Sequence, residues 1–276
     1  MSTGIVIYYD EVFIMKKFSL ISIVLVMVFS LAGCAGKSTD ANKLDKIKND
    51  GKIIFAMEGT WAPWTFHDES GELVGFDTEV GKAIASKLGV EAEFVEGEWD
   101  GLFAGLDAGR YDAIINGVEI TDERSEKYDF TTPYAYIRTA LTTSKDNNSI
   151  TKFEDLNGVT TANSLNSTYM LLAESYGATC KGVDTLSETI DMVLSGRADA
   201  TLNAEVSFYD YMDQHPEANI KIAALTDDAS SVSIPLKKGA ENESLKEAID
   251  KAIDELRNDG TLSEISNKYF GTDITK

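Results

Sequence analysis

The sequence predicts an α/β protein built from two lobes. Short apolar runs alternate with segments whose apolar residues recur at helical spacing, a pattern typical of a sheet covered by helices. The alternation runs from about residue 53 to residue 115 and starts again near residue 158, which indicates two units of similar build. Two extended segments, 134–143 and 230–236, would cross between the units. Two such crossings form a double hinge, the geometry of closure around a ligand.

The first unit is predicted to contain three strands and two amphipathic helices. In chain order these are strand 53–57, helix 76–88, strand 94–95, helix 99–106 and strand 113–115. Gly89 and Gly109 follow the two helices, and glycine accepts the left-handed conformation that commonly ends a helix.

The second unit repeats this order and is followed by helices. Its predicted elements are strand 158–162, helix 168–176, strand 180–183, helix 186–194 and strand 200–202. Thr185 and Glu188 have the spacing of a capping box before the second of these helices. Near the C-terminus an apolar stripe over 245–256 predicts a helix that stops at 258–260. A second capping box, Thr261 with Glu264, would open a short final helix.

A repeated hexapeptide supports the similarity of the two units. Residues 108–113 and 195–200 share the pattern small-Gly-Arg-x-Asp-Ala, and each lies between a predicted helix and a predicted strand. The alternative is an ordinary helix-to-strand turn, since many such turns use glycine.

The N-terminal residues predict export and lipidation. Lys16 and Lys17 precede an uncharged stretch over 18–31, and the chain then reads Leu-Ala-Gly-Cys at 31–34. This order is typical of a secretory signal peptide over 1–33, and its end resembles the bacterial lipobox, which implies that Cys34 carries lipid. An uncleaved membrane anchor is the alternative, although the apolar stretch is short of the ~20 residues that a span needs. We expect Met15 to be the true start.

Composition excludes several partners. The formal net charge is −21, which argues against nucleic acid and leaves the lipid alone to hold the membrane. A small polar tether is expected at 34–45. If Cys34 carries lipid, Cys180 has no disulfide partner. With only His67 and His215 besides, we expect no metal and no cofactor.

Residues 75–85 carry the strongest family resemblance. Their sequence, GFDTEVGKAIA, fits the signature of bacterial solute-binding proteins that serve polar amino acid ABC transporters, extracellular family 3. The likeness extends over the whole mature chain. It includes the segments 59–66, 121–124, 196–200 and 259–261. Residues 58–60, 161–165 and 197–203 look closest to the cystine-binding branch.

The resemblance implies a periplasmic-binding-protein-like fold of type II with a ligand cleft between its lobes. Its implied function is capture of a polar amino acid, with cystine as candidate, for delivery to a permease and, through it, an ATPase. The protein would act as a monomer. The implied boundaries are lobe 1 at 46–135 and 234–276, lobe 2 at 140–228, and hinge segments at 136–139 and 229–233.

Arg124 is the main candidate for binding the ligand's carboxylate. It follows the strand at 113–115 after a short polar connection, where open α/β sheets place ligand sites. A guanidinium offers two parallel donors that match a carboxylate. The family's matching arginine has this role; the alternative is a surface arginine paired with Asp122 or Glu126.

Aromatic residues are predicted to hold the rest of the ligand. The resemblance places Trp61 and Trp99 in the pocket, where flat apolar faces would enclose the ligand's side chain. Trp64, beside Pro63 and Phe66, is predicted to belong to the core instead.

The remaining binding candidates come from both lobes. Backbone groups of Asn116 and Gly117 match the segment that meets the carboxylate, and glycine permits close approach. Ser167 and Thr168 open a helix whose N-terminal amides could meet the same group, a role compatible with ordinary N-capping. The resemblance adds Tyr169 and Asn203 as further pocket residues.

One departure from the family concerns the ligand's ammonium. Relatives commonly carry an aspartate at the position of Ala204, and that aspartate pairs with the ammonium. Because a buried, unpaired ammonium is costly, another carboxylate must replace it. Glu58 and Glu119 are the candidates, followed by Glu205; otherwise the ligand is not a standard α-amino acid.

Two other functions remain open from the sequence. A dehydratase-type enzyme on the same scaffold is one, because acidic residues could act as a general acid. No nucleophile elbow supports catalysis, and His67 lies in a polar turn, so we expect no enzyme. An amino-acid-sensing receptor subunit is the other alternative.

Overall fold

The protein is described by a computed structural model over residues 42–276. The predicted signal peptide and Cys34 lie outside the described residues. The described chain begins with a helix, Lys43–Asp50, that is capped by the side chain of Asn42 and anchored by the buried Ile47. The last three residues of the predicted tether are therefore helical.

The described chain contains nine α-helices and one short 3₁₀ helix, Phe153–Leu156. In chain order the α-helices are α1 Lys43–Asp50, α2 Phe76–Leu88, α3 Trp99–Asp107, α4 Asp122–Lys127, α5 Thr168–Ser175, α6 Leu186–Leu194, α7 Glu205–Gln214, α8 Ala240–Asn258 and α9 Thr261–Phe270.

The strands are mostly short and fall into five sheets within residues 42–276. In chain order they are β1 Lys52–Met57, β2 Thr60–Trp61, β3 Thr65–His67, β4 Leu73–Val74, β5 Glu91–Glu96, β6 Ala113–Ile114, β7 Tyr128–Phe130, β8 Ala135–Ile137, β9 Thr139–Ser144, β10 Thr160–Asn163, β11 Thr179–Gly182, β12 Ala200–Ala204, β13 Ile220–Leu225, β14 Ser230–Val232 and β15 Pro235–Lys237.

The first main sheet has the order β5-β1-β6 and is parallel. Alternate residues of β1 point to opposite faces, so Phe55 packs with the core that contains Phe76 of α2, while Ala56 packs with Leu102 of α3. The strand is buried on both faces because helices cover both of them. This arrangement confirms the α/β class for the first unit.

The second main sheet has the order β11-β10-β12-β9-β13. Strands β10, β11 and β12 are parallel, and β9 and β13 join as antiparallel strands. Both sheets are formed largely by contiguous stretches of chain, which confirms the two-unit architecture predicted from the repeated pattern.

Two extended crossings run antiparallel beside each other between the units. Ser230 pairs with Ile137 and Val232 with Ala135, so β8 and β14 form a two-stranded ribbon. The predicted hinge segments include most of this ribbon.

The repeated hexapeptide forms the same turn in both units. Gly109 and Gly196 have φ values of 69° and 70°, a left-handed conformation that follows α3 and α6 respectively. The aspartates of the two turns also have matching roles: Asp112 accepts from the amide of Ile54 at 2.7 Å, and Asp199 accepts from that of Thr160 at 2.8 Å. Each aspartate therefore fastens its turn to the neighbouring strand.

One of the two predicted capping boxes is present. Thr185 accepts from the amide of Glu188, and the Glu188 carboxylate accepts from the amide of Thr185, both within 3.2 Å. The box predicted at Thr261 is wrong: Gly260 is the N-cap of α9, and the Thr261 hydroxyl donates to Asp259 at 2.6 Å. Asp259 already satisfies the donors that Thr261 offers.

None of the helices within residues 42–276 has both the length and the apolar character needed to cross a membrane.

Candidate functional site

A cavity of about 430 Å³, counting its open mouth, lies between the two main sheets. Its first wall comes from segments of the first unit: Glu58, Trp61, Trp99, Asn116, Gly117 and Glu119. Its second wall comes from the second unit: Ser164, Ser167, Thr168, Tyr169, Leu186 and Asn203. All the predicted binding residues except Arg124 and Glu205 line it.

Glu58 and Asn116 are held together by the order of the first sheet. They follow β1 and β6, which are neighbouring parallel strands, so both lie at the carboxyl edge of the sheet. The Asn116 side chain accepts from the Glu58 amide at 2.8 Å and donates to the Glu58 carboxylate at 2.6 Å. Burial raises the pKa of Glu58 to about 7, although the hydrogen bond from Asn116 lowers it.

Trp61 forms an apolar wall that rests on the core. Its ring stacks on Trp64 with centroids 5.1 Å apart, and Trp64 packs in turn against Phe76 and Phe270. Trp64 is fully buried, as the sequence predicts for a core residue. The indole N–H of Trp61 is buried and has no hydrogen-bond partner within the described chain.

Gly117 allows Trp61 to approach the backbone. Its φ is +55°, and a Cβ at this position would lie 2.7 Å from the Trp61 ring. Glycine is therefore required here both by conformation and by space.

Arg124 does not line the cavity itself. It is in α4 and lines an adjoining groove whose walls include Trp99 and Thr168, which also line the cavity. Its guanidinium lies 5.2 Å from the centroid of Trp99 and donates to the backbone carbonyl of Glu119 at 2.9 Å. Neither Asp122 nor Glu126 forms an ion pair with it within residues 42–276.

The second wall presents the N-terminus of α5. Ser167 caps this helix by accepting from the amide of Met170 at 3.1 Å. The Thr168 hydroxyl donates to the carboxylate of Glu119 on the opposite wall. Tyr169 is 8% exposed, and its hydroxyl is buried without a partner among the described residues.

The carboxylates available to a ligand's ammonium are Glu58 and Glu119. Glu119 is 4% exposed. The prediction of Glu205 as a further candidate is wrong, because its carboxylate is held by Arg138 at 2.7 and 3.1 Å and lines a different groove. Ala204 is fully buried and supplies no charge.

Sequence reasoning missed two wall residues. Ser164 follows β10, so the rule that sites lie at carboxyl edges of strands could have found it. Leu186 opens α6, and its apolar side chain gave no signal that distinguishes it from core residues.

The profile of the bacterial extracellular solute-binding proteins, family 3, matches residues 53–272. The chain belongs to this family. This solute-binding protein is 40% identical over 250 residues to a probable amino-acid ABC transporter-binding protein of Haemophilus influenzae, covering 91% of this chain and 95% of that one. It is 36% identical over 271 residues to the L-cystine-binding protein TcyA of Bacillus subtilis, covering 95% and 100%.

Among solved structures, an ancestral arginine-binding protein bound to arginine matches this solute-binding protein with a TM-score of 0.75. The identity is 38%, and the match covers 80% of this chain and 99% of the other. The family and the fold predicted from the sequence are thereby confirmed. The protein is therefore an extracellular solute-binding protein.

The chemistry of the cavity suits a charged, polar solute. Two carboxylates can pair with cationic groups, while the Trp61 N–H and the Tyr169 hydroxyl are buried polar groups that lack partners. The residues that line the cavity within the described chain include no histidine, cysteine or lysine.

Proposed function

We propose that this protein captures L-cystine between its two lobes and delivers it to the permease. Cystine carries two ammonium and two carboxylate groups. One observation supports this proposal. The cavity contains two carboxylates and two buried polar groups that have no hydrogen-bond partner among the described residues, and the guanidinium of Arg124 lies in the adjoining groove. The 36% identity to an L-cystine-binding protein over 95% of the chain adds to this.

We assign each group of the ligand to residues on the two walls of the cavity. Glu58 and Glu119 take the ammonium groups, and Trp61 and Trp99 enclose the disulfide and its methylenes. Arg124, the helix N-terminus at Ser167 and Thr168, and the backbone at Asn116 and Gly117 take a carboxylate. Tyr169 and Asn203 complete the second wall.

The proposed motion is closure about the paired crossings. Lobe 1 comprises 46–135 and 234–276, lobe 2 comprises 140–228, and 136–139 with 229–233 act as the hinge. The ribbon of β8 and β14 supports this assignment, because both strands pass between the units side by side. The protein is proposed to act as a monomer.

Calorimetry of the purified protein with a panel of ligands tests the function. L-cystine should bind at one site per chain, more tightly than cysteine, arginine or glutamine. Absence of binding by every amino acid in the panel would refute the proposal. Incubation with prephenate or arogenate addresses the dehydratase alternative, for which the expected turnover is zero.

We further propose that the chain is exported and anchored through lipid on Cys34. The Leu-Ala-Gly-Cys sequence at 31–34 supports this. Intact-mass measurement of the membrane-extracted protein should show a diacylated N-terminal Cys34. A Cys34→Ser variant should leave the membrane fraction, and retention of the variant there would favour an uncleaved anchor.

A further inference from the structure

Glu119 reaches across the cavity. It belongs to the first wall, yet its carboxylate accepts a hydrogen bond from the Thr168 hydroxyl on the second wall. Within residues 42–276, two side-chain hydrogen bonds join lobe 1 to lobe 2, and the other is from the Trp64 indole to Ser207 at 3.1 Å. The contact made by Glu119 is the one of the two that lies at the cavity.

The backbone of Glu119 is attached to the hinge. Glu119 forms an isolated bridge with Val232 in β14. On either side, the amide of Ile120 donates to Ser231 at 3.0 Å, and the amide of Ser233 donates to Val118 at 2.9 Å. A change in the position of Glu119 is therefore transmitted to the crossing about which the lobes would turn.

The carboxylate of Glu119 forms no ion pair within residues 42–276. Arg124 donates to the backbone carbonyl of Glu119 rather than to its carboxylate, and the described chain places no basic side chain in an ion pair with that carboxylate. Glu119 is 4% exposed, the direct partner of its carboxylate is a neutral hydroxyl, and the nearby Arg124 charge is not in ion-pair contact with it, so the carboxylate retains the capacity to pair with a cation. A ligand ammonium in the cavity could form the direct ion pair that Arg124 does not form.

We propose that Glu119 is the specificity-determining residue that pairs with the ligand's α-ammonium and makes closure depend on it. This inference rests on the proposed amino-acid-binding function. The ammonium binds first to Glu119 on lobe 1, and Thr168 then reaches the same carboxylate as lobe 2 closes. The residue that selects the ligand by its charge is thus also the residue whose backbone is bonded to the hinge strand β14.

The test compares two probes that differ in their ammonium groups. L-cystine carries both ammoniums, and 3,3′-dithiodipropionic acid has the same disulfide and carboxylates without them. Calorimetry on the purified full chain gives the ratio of their dissociation constants. Glu119→Gln keeps the shape and removes the charge, so cystine affinity should fall at least ~30-fold, as expected for a buried charge that loses its partner. The ratio between the probes should fall at least tenfold.

Three further variants separate recognition from structure. Thr168→Val removes the closing contact and should weaken both probes by similar factors, leaving their ratio unchanged. Glu123→Gln removes an equal charge from a carboxylate that is 72% exposed, and should change both affinities less than twofold. Glu119→Gln combined with Asn203→Asp returns a carboxylate to the cavity from the second wall and should restore at least part of the ratio.

The outcomes distinguish this inference from the proposed function. If Glu119→Gln weakens both probes by the same factor, Glu119 is a structural residue and the inference is overturned, while amino-acid binding stands. If Glu119→Gln lowers the melting temperature strongly, the two dissociation constants are measured instead on Glu119→Ser, whose side chain is smaller. If another amino acid binds in place of cystine, that ligand and its deaminated analogue are the probes. If the wild type binds no amino acid, the proposed function itself fails.

Discussion

Ligand binding should depend on pH through Glu58. Burial raises the pKa of this carboxyl group to about 7, so near neutral pH both the protonated and the ionised forms are populated. A ligand ammonium pairs with the ionised form and disfavours the protonated one. Binding therefore requires release of that proton from the protonated fraction of the protein.

The size of the effect follows from linkage. When a single group with a pKa of about 7 must be ionised, affinity falls by a factor of 1 + 10^(7 − pH), which is about 100-fold at pH 5 and about 1.3-fold at pH 7.5. The sign is fixed: affinity is lost as pH falls. Near pH 8 the ligand's own α-amino groups are already losing their protons, so the useful window is about pH 5–7.5.

Calorimetry with L-cystine across this window, on the wild type and on Glu58→Gln, is the assay. The variant should bind at least ~10-fold more weakly at pH 7.5, because a buried ion pair is lost. Its affinity should then change by less than about threefold between pH 5 and pH 7.5. The Glu123→Gln variant, altered at an exposed carboxylate, should keep the wild-type slope. An unchanged slope in Glu58→Gln would refute the reasoning.

Four other variants test the account. Arg124→Ala should lower ligand affinity at least ~30-fold with little change in melting temperature, since the guanidinium is half-buried at the cleft; unchanged calorimetric affinity contradicts its role. Gly117→Ala places a Cβ 2.7 Å from the Trp61 ring, so chemical denaturation should show a loss of about 1–3 kcal/mol, and a neutral result would mean that the wall yields easily. Ser207→Ala removes the partner of the Trp64 indole and should cost about 1 kcal/mol, visible in the same assay. Burial raises the pKa of Asp77 to about 7, above its unfolded value, so its contribution to stability falls as pH rises from about 4 to 7; Asp77→Asn should flatten that decline in melting temperature, and an equal decline would exclude Asp77 as its source.

The architecture could be predicted because its helices and strands carry strong periodic signals. The stripe that contains Val80 and Ile84 has helical spacing, and both residues are fully buried in α2. Turn chemistry was equally informative at Gly109 and Gly196, where the left-handed conformation favours glycine.

The capping box predicted at Thr261 is wrong because a neighbouring residue, Asp259, forms hydrogen bonds with Thr261 instead. Thr261 and Glu264 have the same spacing as Thr185 and Glu188, so the two sites cannot be separated by pattern alone. At Thr261 the preceding Asp259 accepts from both the amide and the hydroxyl. This preference depends on the bend at Gly260, whose φ is 87°.

The sequence predicted which residues form the candidate site better than it predicted the contacts between them. Most of the named residues line one cavity, because carboxyl edges of strands and helix N-termini gather at the same place. The placement of Arg124 beside the cavity, and the partnership of Glu205 with Arg138, depend on side-chain contacts over long sequence separations. No spacing rule encodes such contacts.

A crystal structure of the protein saturated with L-cystine tests the central claim most directly. The account predicts one ligand between Trp61 and Trp99, with an ammonium within hydrogen-bond distance of Glu119 and the second near Glu58. A ligand bound outside this cavity, or one whose ammonium groups meet neither carboxylate, would contradict it.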